Sequence, residues 1–131
     1  MRNAVLTYLT VLIVFVGIDA VWIGVIAGNV YRREMGALMV DRPLWGAVLL
    51  FYLLYAAGIT VLAIPEGQGG WLRALLQGAV LGLCAYATYN LTNVAVVRGW
   101  PIRLSLMDLA WGTALTAFAA VVGYFVKSRL A

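Results

Sequence analysis

The sequence predicts an all-α membrane protein, an antiparallel bundle of four transmembrane helices. Three observations carry this. Hydrophobic residues make up 65% of the 131 residues and charged residues 11%, against about 45–50% and about 25% in soluble domains. The mean hydropathy is +0.99, which leaves too little polar surface to cover even a small core in water. The apolar residues also fall in four long runs separated by short polar breaks. Four such segments cannot close a barrel, so each must cross as a helix with its backbone groups bonded internally. One domain is expected over residues 1–131.

The first helix is expected over residues 7–28. Its length of about 33 Å suffices for a hydrocarbon core of about 30 Å. It is too long for a signal peptide, contains Asp19, and lacks a small-residue cleavage site before Tyr31-Arg32-Arg33. The polar break over residues 29–43 carries Arg32, Arg33, Glu34, Asp41 and Arg42. The second helix is expected over 44–64, ended by Pro65 and a glycine-rich turn through Gly67, Gly69 and Gly70. The third, over 72–97, is about 39 Å long and should tilt or extend past the interface. Pro101 lies in the next turn, poised near the start of a fourth helix over 104–126. Trp45, Trp71 and Trp100 stand at run ends, where aromatic belts sit.

Four spans place both termini on one side, with Arg2, Arg73, Lys127 and Arg129. The opposite side holds Arg32, Arg33, Arg42, Arg98 and Arg103. Four against five does not decide orientation by the positive-inside rule, although the slight excess favours the second side as cytoplasmic. The net charge of +4 therefore sits at membrane flanks, where lipid headgroups are the expected partners. No basic stripe with interleaved exposed aromatics exists, so no nucleic-acid partner is expected. The chain has no histidine and one cysteine, Cys84. That excludes His-ligated haem, His-based zinc sites, His-containing triads and an internal disulfide. No cofactor or metal is expected.

Most membrane-embedded polar residues share one depth, near the side of the first and third breaks. Asp19, Tyr52, Asn90, Asn93 and Asp108 all lie about 6–13 Å from the helix ends on that side. Trp22, Tyr89 and Trp111 fall in the same band. Asp19-Ala20-Val21-Trp22 and Asp108-Leu109-Ala110-Trp111 place an Asp and a Trp three apart on one helical face. In helices of opposite direction, this pattern fits an inverted repeat. Gly78 with Gly82, and Gly24 with Gly28, form small-xxx-small pairs that let helices approach closely.

An Asp at a helix centre costs about 2.5–3.5 kcal/mol on the insertion scale, so two of them should not face lipid. The expected ligand-binding pocket is therefore lined by Asp19, Trp22, Tyr52, Tyr89, Asn90, Asn93, Asp108 and Trp111. A carboxyl that takes up a proton there donates to Asn90 or Asn93. Arg98 or Arg32 reaching down to pair with Asp108 is the alternative. Arg32, Arg33, Arg98 and Arg103 form a flank suited to headgroups or anions. The plainer readings are a polar clamp for the acids, interhelical hydrogen bonding for the Asn pair, packing for the aromatics, and a topology signal for the arginines. Three functions follow from these readings: a protein that binds or transports a proton-linked, cationic or lipid-headgroup ligand; a lipid-modifying enzyme using Asp108 as acid or base; or a structural subunit of a membrane complex. So small a bundle suggests a homodimer or a larger assembly.

The chain resembles a family of small bacterial integral membrane proteins known as domain of unknown function 2177. The likeness rests on Asp19-Ala20-Val21-Trp22, Tyr31-Arg32-Arg33-Glu34 and Phe51-Tyr52-Leu53-Leu54-Tyr55-Ala56. It continues through residues 85–93, Gly99-Trp100-Pro101 and Asp108-Leu109-Ala110-Trp111-Gly112. The resemblance implies a four-helix protein of the bacterial inner (plasma) membrane, supplies no activity, and points towards lipid chemistry. The small multidrug exporters are similar in size, in helix number and in an acid on the first helix. This chain departs from them in Asp108 and in the Asn pair.

Overall fold

A computed structural model describes residues 2–36, 44–66 and 70–130. Asp41 and Arg42 of the first break, and Gly67 and Gly69 of the second, lie outside them. The first membrane helix is built in three parts: α1 (Arg2–Val21), a π turn (Trp22–Ala27) and α2 (Gly28–Met35). Next come α3 (Trp45–Gly58), continued by a second π turn (Ile59–Ala63), then α4 (Gly70–Val96) and α5 (Ile102–Leu130). Four of these helical stretches are long and apolar enough to cross a membrane: Asn3–Val25, Trp45–Ala63, Gly70–Val96 and Ile102–Leu130. The arrangement is the four-helix antiparallel bundle that the apolar runs predict.

The first helix extends further than the apolar run does. It continues through Asn29, Tyr31, Arg32 and Arg33 to Met35. Polarity ends the apolar run, but none of these residues breaks a helix. The stop is Gly36, whose φ of +51° is the left-handed conformation that commonly closes a helix.

The π turn sets the phase of α2. Its wider hydrogen-bond spacing underwinds the helix, so residues after it lag behind their α-helical positions. Gly28 makes the turn feasible, because a Cβ at this position would run into the Ile23 carbonyl oxygen. Gly28→Ala is expected to destabilise the protein by about 1–3 kcal/mol through overpacking. It should also rotate α2 and withdraw Tyr31 from its partners. Ultraviolet resonance Raman of the tyrosine hydrogen bonds checks this: the spectral change should match that of Tyr31→Phe.

The tightest helix pair is α4 with α5. A Cβ on Gly78 would lie 2.8 Å from the Ala117 Cα and 2.9 Å from the Ala120 Cβ. A Cβ on Gly82 would collide with the Gly112 carbonyl oxygen and the Thr116 side chain. The glycines thus let the two backbones touch, which is how packing drives association without a hydrophobic effect between helices. The Gly24 and Gly28 pair does not act this way. A Cβ on Gly24 would meet nothing within 4 Å, because this face of the π turn points away from the bundle.

Val11, Phe15, Ile59, Ile64 and Leu115 are buried together in the core. Phe15 sets its ring against the edges of Tyr52 and Tyr55, at centroid distances of 6.0 and 5.2 Å. Asn3 Nδ2 donates to the Leu130 carbonyl at 3.2 Å, so the two chain ends share one side of the bundle. Leu49, Leu50, Leu54, Val61, Leu62 and Val80 face outward. In water so broad an apolar surface would drive association; here it meets lipid chains.

Candidate functional site

Each aspartate is held by two donors from other helical segments. Asp19, on α1, is 7% exposed. Its Oδ2 accepts from the Tyr52 hydroxyl of α3 at 2.6 Å, and its Oδ1 from Trp111 Nε1 of α5 at 2.9 Å. Asp108, on α5, accepts at Oδ2 from Asn90 Nδ2 of α4 at 2.7 Å. Its Oδ1 accepts from the Tyr31 hydroxyl of α2 at 2.9 Å. Asn90 is fixed in turn, since its Nδ2 also donates to the Tyr86 carbonyl at 2.9 Å. All the helical segments around the site therefore contribute to one polar cluster.

The two Asp-x-x-Trp motifs meet at the centre of this cluster. The Trp22 and Trp111 rings stack with centroids 4.2 Å apart and planes 9° from parallel. Trp111 donates directly to the Asp of the other motif. Trp22 donates to the Tyr31 hydroxyl at 3.2 Å, and Tyr31 donates to Asp108. Each indole thus serves the opposite aspartate, one directly and one through a tyrosine. Burial raises the pKa of the Tyr31 phenol above its ordinary value, so its hydroxyl keeps the proton that it donates.

The donors are all neutral. Among the described residues the one salt bridge joins Lys127 to Glu66, at 3.7 Å. Neither aspartate has a basic partner there. The expected pairing of Arg98 or Arg32 with Asp108 is not formed; Asn90 and Tyr31 bond the two carboxyl oxygens instead. Arg33 and Arg103 are exposed on the outside, and so is Arg98 in the turn after α4.

The chemistry at each oxygen differs. Trp111 Nε1 and Asn90 Nδ2 can only donate, so the oxygens facing them must remain acceptors. A hydroxyl can reverse and accept. A proton added to either carboxyl therefore belongs on the oxygen that faces a tyrosine: Oδ2 of Asp19 beside Tyr52, and Oδ1 of Asp108 beside Tyr31. The cluster has a built-in place for one proton at each acid.

Six of the residues expected in the pocket come together here: Asp19, Trp22, Tyr52, Asn90, Asp108 and Trp111. Tyr89 does not join them; it is 55% exposed and sets its ring edge-on to Trp100 at 5.7 Å. Asn93 lies one turn beyond Tyr89, half-buried, and bonds neither aspartate. The stacked indoles and the Tyr31 hydroxyl link one acid to the other. Two surface grooves lie elsewhere, and neither is lined by Asp19 or Asp108. Tyr31 was not among the residues expected in the pocket. An extension of the first helix past Gly28 would have brought it within consideration, but its phase depends on the π turn.

The family model for predicted membrane proteins described as DUF2177 matches residues 4–125. The chain belongs to this family. The matched segment of the DUF2177 protein contains both Asp-x-x-Trp motifs, Tyr31, Tyr52 and Asn90, and so the whole cluster. No curated protein and no solved structure matches the chain.

Proposed function

We propose that this DUF2177 protein is a proton-linked binding or transport protein of the bacterial inner membrane, in which Asp19 and Asp108 take up and release the proton. The carrying observation is that, among the described residues, two intramembrane carboxyls are held by neutral donors alone. A carboxylate without a cation is expensive in a bilayer, and intramembrane acids default to functional roles for that reason. A structural clamp needs no acid, since Asn forms interhelical hydrogen bonds without a charge. The tyrosine-facing oxygens give the proton a defined place, and every carboxyl oxygen already accepts from a side chain, which favours a proton over a larger ligand at the carboxyls themselves. A lipid-modifying enzyme is less well supported, because Asp108 faces no nucleophile.

The test is proton movement in vesicles that hold the full chain and a trapped pH dye. Inward gradients of sodium, potassium and tetraphenylphosphonium are imposed in turn. At least one is expected to drive proton release that Asp19→Asn and Asp108→Asn abolish. Proton movement that is absent throughout, or equal in the wild type and both variants, contradicts the proposal.

A further inference from the structure

Where the π turn runs into α2, the outer face of the first helix bears a groove of about 340 Å³. It is lined by Ile23, Val25, Asn29, Tyr31, Arg32 and Met35. The volume lies at the low end of small-ligand sites, roughly 300–1,000 Å³. Gly24 keeps its floor open, since no heavy atom lies within 4 Å of where a Cβ would sit.

The groove is divided by depth. The apolar run of the first helix ends at Gly28. Ile23 and Val25 are exposed on the hydrocarbon side of that level. Asn29, Tyr31 and Arg32 follow on the headgroup side. Among the described residues no Asp or Glu lines the groove, and Arg32 has no acidic partner. The site is thus apolar at one end and carries an unneutralised guanidinium at the other. An Arg fork matches a phosphate diester in charge and shape. A soluble anion would leave the apolar end unused.

We infer that this groove binds an anionic phospholipid, its phosphate against Arg32 and Asn29 and one acyl chain along Ile23 and Val25. The site does not depend on proton exchange at the aspartates, so Asp19→Asn should keep it intact.

Native mass spectrometry of the full chain in detergent, titrated with phosphatidylglycerol or phosphatidylcholine, tests this. The wild type is expected to retain phosphatidylglycerol in preference to phosphatidylcholine. Arg32→Gln should weaken that retention about fivefold, the size of one basic residue's attraction to an anionic surface. Arg33→Gln, at a side chain outside the groove, should leave it unchanged. Gly24→Leu fills the apolar end and should weaken retention while preserving helicity. Equal retention of the two lipids overturns the proposal. So does wild-type retention by both Arg32→Gln and Gly24→Leu, or displacement of the lipid by inorganic phosphate, which marks a soluble-anion site.

Discussion

Asp19→Ala is expected to lose about 2–6 kcal/mol of stability, while Asp19→Asn remains folded. Alanine removes the acceptor for two donors, the Tyr52 hydroxyl and Trp111 Nε1. A donor stranded away from water costs about 1–3 kcal/mol, and Asp19 is buried. Asparagine has nearly the same shape and keeps both bonds. Its carbonyl oxygen accepts from Trp111, and its amide donates to Tyr52, whose hydroxyl reverses to accept. Asp108→Asn is less neutral. Its amide would displace the hydroxyl proton of Tyr31, which already accepts from Trp22. Unfolding in mixed detergent should therefore rank the variants: wild type and Asp19→Asn together, then Asp108→Asn, then Asp19→Ala. If Asp19→Ala proved as stable as the wild type, the hydrogen bonds described around Asp19 would not be holding the bundle.

Gly82→Ala is the second large effect. The added methyl collides with the Gly112 carbonyl and would sit 2.8 Å from the Thr116 Cβ. Backbone on the facing helix cannot rotate aside as a side-chain tip can. The two helices must separate along their closest seam, at a cost of about 3 kcal/mol, the upper end for overpacking. Separation also lengthens the Asn90–Asp108 bond, which spans the same seam two turns further along. Gly17→Ala is the control. Its new methyl meets nothing within 4 Å, and alanine in a helix interior gains up to about 1 kcal/mol over glycine. The pair should shift unfolding in opposite directions. A loss of equal size at both positions would show that glycine itself, and not the α4–α5 contact, matters at residue 82.

The bundle was legible in the sequence because bilayer thickness fixes the length of an apolar run and Gly or Pro marks its ends. The Asp pair was legible for a related reason: lipid makes acids conspicuous. Which neighbours reach those acids was less accessible. Gly78, Gly82, Tyr86 and Asn90 recur every four residues, so they form one stripe along α4. The small residues at one end press that stripe against α5, and Asn90 at the other end is carried to Asp108. Tyr89 is turned about 100° from Asn90 by the helix and faces outward. Asn93 sits a turn nearer the membrane edge. Equal depth placed all three in one group, but the glycine stripe selects only one of them. Tyr31 was hidden by a different mechanism. A reading in α-helical phase cannot anticipate a π turn, and the turn decides where α2 points.

The central claim is that Asp19 and Asp108 exchange protons inside the membrane. Infrared difference spectroscopy of the chain in lipid nanodiscs, cycled in pH, addresses it most directly. Protonated-carboxyl bands should appear and vanish reversibly, one missing in Asp19→Asn and another in Asp108→Asn, with tyrosine bands of Tyr52 and Tyr31 shifting alongside as their hydroxyls reverse. Carboxyl bands that stay fixed across the whole cycle, or that persist unchanged in both variants, would contradict the account and leave the aspartates as a static clasp between helices.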